Sequence, residues 1–482
     1  MELVIGVVGK PSVGKSTFFN SVTEGKAKMG NFPFTTIEPN TGITFYKTEC
    51  ACKSRGKMAE CAPRYGRCEA GTRFIPVRLL DVAGLVPGAS EGAGLGNKFL
   101  DDLRAADVLI HIIDASGTTN EKGEQTEGYN PIDDATWLDS EIHAWVFNNL
   151  WSKWPGVARR HAATRASAAA TLIAQLSGYG AKQALVNRVL DNLGVADPVD
   201  LAAWDAPRVD ALVAEFLRIR FPTLLLLNKA DQGGETDANI ASLVEKYGSD
   251  RCIVGSSAAE FFLKNMTKKK YIKYSPGDST FLSKADWADE VEFRQMRGEE
   301  IKEEEAAEFE ALVEPPERKI SKRLERTKDM VLYRYGSTGV WAAVQAAVDL
   351  KDPVVAYVVK STRSYVTEQT SSTGGSGVFA DCYLVKKGTT VGALAHKVFP
   401  DSTAPFQAAE GEDGRRLADD FEIPHQQFVL RYVLRKEEFA EAKREEAQSQ
   451  RGGSGAKAVS TVITKAERLA LADGGGGDAG KS

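Results

Sequence analysis

The feature that most constrains this chain is a glycine-rich loop near its N-terminus. The apolar run Leu3–Val8 predicts a buried parallel strand, and the sequence G-K-P-S-V-G-K-S-T follows it and leads into a predicted helix. A strand, a glycine loop and a helix in this order form a phosphate-binding site, because glycine allows unusual backbone conformations and a helix N-terminus attracts anions. The predicted nucleotide contacts in this loop are Gly9, Lys10, Pro11, Ser12, Val13, Gly14, Lys15, Ser16 and Thr17. Lys15 is expected to contact the β- and γ-phosphates, and Ser16 to bind Mg²⁺.

Length and composition limit the class of protein. A chain of 482 residues has room for about two to four domains. Its net charge of −5 argues against bulk electrostatic binding to nucleic acid, including DNA, although local basic patches remain compatible with it. No apolar run has the length of a membrane span, and the N-terminus lacks the layout of a signal peptide. We therefore expect a cytoplasmic protein without a membrane partner.

Two further segments resemble the parts of a nucleotide switch that respond to the γ-phosphate. Thr36, rather than Thr35, is placed before the strand predicted at Thr41–Thr48 so that its hydroxyl could bind Mg²⁺. Asp81 ends the next predicted strand and is followed by Gly84, whose N–H could face the γ-phosphate. The predicted catalytic set is therefore Lys15, Thr36 and Gly84, and the predicted Mg²⁺ set is Ser16, Thr36 and Asp81.

The residue after Gly84 bears on the rate of hydrolysis. Many nucleotide switches place a glutamine here to orient the attacking water, but this chain has Leu85. A leucine side chain cannot hold a water. Hydrolysis is therefore predicted to be slow unless another group or a partner supplies that function.

A base-reading motif follows the apolar run Leu224–Leu227. The motif is N-K-x-D, made by Asn228, Lys229 and Asp231. The Asp231 carboxylate can accept both N–H groups of the guanine Watson–Crick edge, whereas adenine offers no such donor pair and would leave the carboxylate unpaired. This pattern predicts GTP rather than ATP. A weaker motif predicts that Ser257 and Ala258 form the last base-contacting loop.

Four cysteines lie close together between two predicted strands. Cys50, Cys52, Cys61 and Cys68 have the spacing C-x-C-x8-C-x6-C. Four thiolates can hold one tetrahedral Zn²⁺, but the first pair lacks the commoner C-x2-C spacing. Two alternatives therefore stay open, a zinc knuckle and reduced cysteines in a surface hairpin.

The apolar pattern divides the chain into regions. Residues 1–133 and 221–351 are predicted to form one nucleotide-binding domain, with the cysteine hairpin at 50–68. Residues 134–220 have apolar side chains at helical spacing and are predicted to be a helical insertion. Residues 352–435 alternate strands with one helix and predict a small α+β domain. Residues 436–482 are charged and then glycine-rich, and are expected to be disordered.

Together the motifs resemble the Obg/YchF-like GTPases, in particular an archaeal and fungal branch of YchF type. They are G-K-P-S-V-G-K-S, F-P-F-T-T-I-E-P-N, D-V-A-G-L-V-P-G-A, N-K-A-D and R-Y-G-S-T-G-V. The segment L-V-K-K-G-T-T-V-G-A-L-A-H-K-V-F is similar to a TGS domain, which has a β-grasp fold. The resemblance implies an α/β P-loop GTPase domain, with a mostly parallel sheet and helices on both faces. It also implies a helical insertion, bound Mg²⁺ and association with ribosomes or RNA.

Three positions depart from the family pattern. Ser12 stands where some relatives have an asparagine linked to K⁺-assisted hydrolysis, so K⁺ activation is not expected. The chain keeps N-K-x-D, which several YchF relatives have lost together with their preference for GTP. The cysteine hairpin is not general in the family.

The leading hypothesis is a slow Mg²⁺-dependent GTPase switch that acts in translation, with GTP and GDP as ligands. The alternatives are a ribosome- or RNA-binding adaptor with a structural nucleotide, and an ATPase like some YchF relatives.

Overall fold

The computed structural model describes residues 3–23, 40–82, 102–298, 303–367, 377–399, 406–424 and 427–433. The predictions made for Thr36, Gly84, Leu85 and the C-terminal tail fall outside these residues.

The first and larger sheet has seven strands, and most of them are parallel. Strands β1, β5, β6 and β7 run parallel to one another and β4 runs parallel to β1, while β2 and β3 pair antiparallel with β4. The order is β2-β4-β1-β5-β6-β7, with β3 beside β4. The strands are β1 Val4–Val8, β2 Thr41–Glu49, β3 Arg67–Glu69, β4 Thr72–Asp81, β5 Val108–Asp114, β6 Thr223–Asn228 and β7 Cys252–Val254. Because parallel strands share an edge for their C-terminal ends, the motifs that follow β1, β4 and β6 meet there.

Among the described residues, helices lie between several of the strands of this sheet. Helix α1 (Lys15–Val22) follows β1, and the short α2 (Ala51–Ser54) lies between β2 and β3. Five helices lie between β5 and β6: α3 Pro131–Trp151, α4 Trp154–Thr164, α5 Ala168–Leu176, α6 Gln183–Asn192 and α7 Ala206–Arg220. Short 3₁₀ turns occur at Ser177–Tyr179 and Leu201–Ala203.

The helical region begins slightly earlier than its predicted start at residue 134. Asn130 accepts a hydrogen bond from the Ile132 N–H, and Pro131 occupies the first turn, where its missing N–H is not needed. The five helices pack around a core of their own, which includes Val146, Leu172, Leu190 and Phe216.

The chain after β6 adds further helices and a small hairpin. A 3₁₀ turn at Ala230–Gln232 precedes the helices α8 Glu235–Tyr247, α9 Ser257–Lys268, α10 Lys284–Met296, α11 Glu303–Glu310, α12 Arg318–Thr327 and α13 Val340–Asp349. Strands β8 (Ile272–Lys273) and β9 (Leu282–Ser283) pair antiparallel and were not predicted. A π-helical turn, Lys328–Tyr333, continues α12.

The large sheet is covered on both faces, as predicted. Alternate side chains of β1 point to opposite sides, because the side-chain period of a strand is two. Ile5 and Val7 pack in the core that includes residues of α1 and α13. Val8 packs in a second core with Leu138 of α3. The fold class predicted for this domain is confirmed.

The second sheet has five strands in the order β11-β10-β14-β12-β13. Strands β10 and β14 are parallel and the other neighbours are antiparallel. Its elements are β10 Pro353–Val358, β11 Cys382–Lys386, α14 Val391–Val398, β12 Ala408–Gly411, β13 Arg416–Leu417 and β14 Phe428–Val433. Its assignment as a β-grasp or TGS domain stays a prediction.

Both faces of this second sheet are buried. Helix α14 packs Leu394 against one face, beside Ala356. On the other face, Val355 and Tyr357 belong to the same core as β1 and α1. The two sheets therefore share a hydrophobic core. In the described part of the chain, the helices lack the length and apolar character needed to cross a membrane.

Candidate functional site

The glycine-rich loop joins β1 to α1 and wraps around the Lys15 ammonium group. Lys15 Nζ donates hydrogen bonds to the carbonyl oxygens of Gly9 (2.8 Å) and Lys10 (2.7 Å). Burial lowers the pKa of Lys15, and the nearby Asp81 carboxylate opposes that shift. The loop thus holds a positive charge at its centre, where an anionic phosphate would be stabilised.

Gly14 is required by close packing at the end of this loop. Its φ is +103°, and a Cβ atom at this position would lie 2.5 Å from Asn228 Nδ2. A larger residue would push the base-reading motif away from the phosphate loop. Glycine therefore allows the two motifs to touch.

The second residue of the loop has a structural role that the sequence did not reveal. The Lys10 side chain is only 1% exposed, and its Nζ lies 2.7 Å from Asp134 Oδ2 of α3. The ammonium also donates to the Thr119 carbonyl oxygen and lies 3.9 Å from the centre of the Tyr129 ring. Its side chain therefore connects the loop to the helical region, and only the main chain of Lys10 could make the predicted contact with a nucleotide.

Two of the three predicted Mg²⁺ residues lie side by side. Asp81 ends β4 opposite Val7 of β1, and its carboxylate lies near the Ser16 hydroxyl. Burial raises the pKa of Asp81, while Lys15 and Ser16 oppose the rise. A hydroxyl and a carboxylate are the oxygen ligands that Mg²⁺ prefers, so these residues would hold the ion. The third, Thr36, lies outside the described residues.

Asn228 connects three motifs through its side-chain amide. Its Nδ2 donates to the Val13 carbonyl oxygen at 2.6 Å, and its Oδ1 accepts from the Ser257 N–H at 2.8 Å. The amide is 3% exposed. Asn228 thus connects the phosphate loop to the loop at Ser257, which the sequence predicts to contact the base. Both the NH₂ group and the oxygen of its side-chain amide are hydrogen-bonded.

Lys229 of the same motif pairs with a buried carboxylate at the end of β5. Its Nζ lies 2.7 Å from Asp114 Oδ2, and Asp114 also accepts hydrogen bonds from Ser116 and Thr119. Burial alone would raise the pKa of Asp114, but these hydrogen bonds overcome it and lower the pKa. The Lys229 ammonium therefore fixes the turn that carries Asp231.

Asp231 lines a cavity of about 560 Å³. One of its carboxylate oxygens accepts a hydrogen bond from Ser256 Oγ at 2.6 Å. Ala258 lines the same cavity, together with three basic residues of α12, namely Lys322, Arg323 and Arg326. A cavity of this volume suits a small ligand. The sequence did not predict that α12 forms part of its wall.

A buried glutamate supports the loop that carries Ser256 and Ser257. Glu260 Oε2 accepts hydrogen bonds from Tyr274 Oη (2.7 Å) and Thr338 Oγ1 (2.5 Å), and its Oε1 accepts one from Trp341 Nε1 (2.8 Å). Burial raises its pKa, and the three hydrogen bonds oppose the rise. The Ser256 N–H in turn donates to the Thr338 carbonyl oxygen. Nothing in the spacing of the sequence singled out Glu260.

The four clustered cysteines lie away from these motifs, beside the second sheet. The sulfurs of Cys50, Cys52, Cys61 and Cys68 all lie within 4.8 Å of one another. The Cys50 and Cys61 sulfurs are 3.8 Å apart, and those of Cys52 and Cys68 are 3.6 Å apart. All four cysteines are free.

Comparisons with known proteins match nearly the whole chain. A family model described as "50S ribosome-binding GTPase" matches residues 4–142, and one described as "Obg-like GTPase YGR210-like, G4 motif-containing domain" matches residues 226–361. The chain is 40% identical to an "Uncharacterized GTP-binding protein" of Schizosaccharomyces pombe over 437 residues, 91% of this chain and 99% of that protein.

Two archaeal proteins are similar to this chain over a comparable share of its length. An "Uncharacterized GTP-binding protein" of Methanocaldococcus jannaschii is 35% identical over 431 residues, 88% of this chain and 98% of that protein. The crystal structure of a GTP-binding protein from Pyrococcus horikoshii superposes with a TM-score of 0.63 at 27% identity. That superposition covers 90% of this chain and 100% of the other.

Proposed function

Because this chain belongs to the Obg/YchF-like GTPase family, we propose that it is a slow, Mg²⁺-dependent switch that binds and hydrolyses GTP in the cytoplasm and acts in translation. The observation that carries the proposal is the hydrogen bonding of Asn228. It joins the phosphate loop to the motif whose Asp231 lines a ligand-sized cavity.

Base selection follows from the chemistry of Asp231. An ionised carboxylate only accepts hydrogen bonds, and guanine presents N1–H and N2–H on one edge. Adenine in the same place would leave a partly desolvated carboxylate without donors, which costs about 1–3 kcal/mol or more. GTP should therefore bind much more tightly than ATP.

The residues of the phosphate site would act mainly by electrostatics. Lys15 and the N–H groups of the loop neutralise charge on the β- and γ-phosphates, and Ser16 and Asp81 would hold Mg²⁺, which adds further charge stabilisation when bound. In-line attack by water needs an orienting group. Leu85 provides none, so unaided turnover should be slow.

Association with the ribosome is supported by the description of one matching family as ribosome-binding. A stable fold with a nucleotide in place would then present a surface to the ribosome or its RNA. GTP turnover that rises on addition of ribosomes would support this part of the proposal.

A competition titration tests the base preference. A fluorescent GTP analogue bound to the protein is displaced by GTP or by ATP in the presence of Mg²⁺. We expect GTP to compete at concentrations at least about tenfold lower than ATP. Equal competition, or stronger competition by ATP, would refute the guanine assignment and favour an ATPase.

Substitution of the base-reading carboxylate sharpens this test. Asp231→Asn should weaken GTP binding by about 10–100-fold, since an amide N–H faces the guanine donors, while the ATP affinity changes little. Asp237→Asn is the matched control, because Asp237 makes an exposed ion pair with Arg334. Its GTP affinity should equal that of the unsubstituted protein.

Lys15→Ala separates the switch from the adaptor alternative. The switch predicts that this change abolishes GTP turnover and alters ribosome association in a nucleotide-dependent way. Unchanged ribosome binding by Lys15→Ala, with negligible turnover of the unsubstituted protein even on ribosomes, would favour the adaptor.

A further inference from the structure

The cysteine cluster has the geometry of a single-ion site. In a Zn²⁺ site with four thiolates, Zn–S bonds of about 2.3 Å in a tetrahedron place the sulfurs about 3.8 Å apart. The Cys50–Cys61 and Cys52–Cys68 sulfur separations, 3.8 and 3.6 Å, approach that value, and all four sulfurs lie within 4.8 Å of one another. A disulfide requires about 2.05 Å between sulfurs, so the cysteines are not arranged as two bridges.

The four sulfurs come from three different local structures and lie close together. Cys50 and Cys52 lie at the start of α2, Cys61 lies in the loop after it, and Cys68 lies in β3. The Cys50 sulfur also lies 3.7 Å from Tyr357 Oη, a donor from the second sheet. Hydrogen bonds of this kind orient the thiolates around a metal ion. A surface hairpin with unrelated thiols would not bring four of them together.

A buried positive charge beside the cluster gives independent support. Arg73 is 1% exposed and is the cross-strand partner of Cys68. Its guanidinium donates to the carbonyl oxygens of Phe379 and Ala380. The buried Asp381 carboxylate attracts it, but no carboxylate of the described residues lies within ion-pair distance of it. Burying an unpaired charge is costly. Four thiolates around Zn²⁺ carry a net charge of −2, which would compensate the buried guanidinium.

The cluster also forms the contact between the cysteine hairpin and the second sheet. The Ala62 and Arg64 N–H groups donate to the carbonyl oxygens of Val378 and Ala380, each at 3.0 Å. The Ala51 N–H donates to Tyr357 Oη at 3.3 Å. Further out, Arg55 makes two hydrogen bonds to the Glu412 carboxylate. The loop that contains Cys61 therefore also forms main-chain hydrogen bonds to the C-terminal domain.

We propose that Cys50, Cys52, Cys61 and Cys68 bind one structural Zn²⁺, and that this ion fixes the hairpin in the conformation that holds the C-terminal domain. Binding replaces four thiol protons by one Zn²⁺, so four protons are released and no redox partner is needed. The site is separate from the nucleotide site and does not depend on the nature of the nucleotide.

Metal analysis of the full chain tests the site. Protein purified under reducing conditions should contain about one zinc ion per chain, and a Cys61→Ser/Cys68→Ser variant less than about one tenth of that. Cys252→Ser, a buried cysteine far from the cluster in sequence, should keep the full amount. Iron in place of zinc, or no zinc uptake by reduced unsubstituted protein, would overturn the assignment.

Cobalt substitution gives a readout that needs no variant. Unsubstituted protein reconstituted with Co²⁺ should show the thiolate-to-metal charge-transfer bands and the visible bands of a tetrahedral four-sulfur site. Excess Zn²⁺ should remove them. A spectrum of octahedral Co²⁺ would contradict the proposal.

Hydrogen exchange tests the role of the ion in holding the C-terminal domain. In the Cys61→Ser/Cys68→Ser variant, amides in peptides covering residues 60–65 and 377–381 should exchange at least about tenfold faster than in the zinc-bound protein. GTP affinity should be unchanged, which shows that the nucleotide-binding domain is folded. Equal protection in both proteins would show that zinc does not hold this contact.

Discussion

The side-chain amide of Asn228 donates a 2.6 Å hydrogen bond to the main-chain carbonyl oxygen of Val13, across 215 residues of sequence. The same amide accepts the N–H of Ser257. The phosphate loop and the base-reading motif are therefore held together by one side chain, and the geometry of the nucleotide site depends on it.

Replacing Asn228 should damage both motifs together. Asn228→Ala leaves the buried Val13 carbonyl and the Ser257 N–H without partners, which costs about 1–3 kcal/mol for each group. We expect a lower unfolding midpoint and GTP binding weakened by at least about tenfold. Asn239→Ala is the control, since Asn239 donates to the Ala115 carbonyl oxygen at 3.0 Å. It should lower stability with little effect on affinity.

The ion pair between Lys10 and Asp134 should behave as a buried one. Lys10→Met leaves the Asp134 carboxylate buried without its partner, so the free energy of unfolding should fall by about 3–5 kcal/mol. The double variant Lys10→Met/Asp134→Leu should recover much of this loss. Arg218→Ala breaks the exposed pair with Glu215 and should change stability by less than about 1 kcal/mol. Urea unfolding of all three variants measures these differences, and an undiminished loss in the double variant would speak against the pair.

His111 predicts a pH dependence of stability. It is buried in β5, and burial together with the charges of Lys15 and Lys10 lowers its pKa from 6.5 to about 3. The unfolded chain therefore binds a proton between pH 6.5 and 3 that the folded chain excludes, so stability is complete above pH 6.5 and decreases as the pH falls.

The size of this effect can be isolated by substitution. Between pH 7 and 5 the contribution of His111 to the free energy of unfolding should fall by about 2 kcal/mol. His111→Leu removes this titrating group. The difference in free energy of unfolding between the unsubstituted protein and the variant should therefore change by about 2 kcal/mol between pH 7 and 5. Parallel stability curves from pH 8 to 5 would show that His111 does not titrate as described.

Gly339 and Gly336 form a matched pair of left-handed glycines. Their φ angles are +73° and +74°, but a Cβ at Gly339 would collide with the Val254 carbonyl oxygen, whereas one at Gly336 would meet nothing within 4 Å. Gly336→Ala should lower stability by about 1 kcal/mol through backbone strain alone.

Gly339→Ala should lower stability by more than about 2 kcal/mol and also weaken GTP binding, since it displaces the segment that holds Ser256. Thermal unfolding and nucleotide titration measure both effects. Equal losses for the two alanine variants would mean that the close approach at Gly339 has no energetic consequence.

The sequence predicted the features that depend on local order along the chain. Phosphate loop, Asp81 and N-K-x-D each follow an apolar strand, and parallel strands bring their C-terminal ends to one edge. Contacts made by side chains distant in sequence were not predictable in this way. Lys10 reaches Asp134 in another region, Glu260 receives Trp341 from α13, and α12 lines the cavity beside Asp231. Each of these three contacts depends on how the helices pack against one another. The spacing of apolar residues along the sequence does not specify that packing.

Strand β4 has different neighbours at its two ends. Asp81, at one end, lies beside the phosphate loop, and Arg73, at the other, holds the main chain at Phe379 and Ala380. Asp81 lies eight positions after Arg73, which corresponds to about 26 Å of extended chain. The strand pairs with β2 over Thr72–Leu80, and its other edge pairs with β3 at Thr72–Phe74 and with β1 at Arg78–Asp81. The predicted Mg²⁺ ligand Asp81 and the C-terminal domain are thus attached to the two ends of one strand, and a displacement at either end would reach the other along its paired backbone.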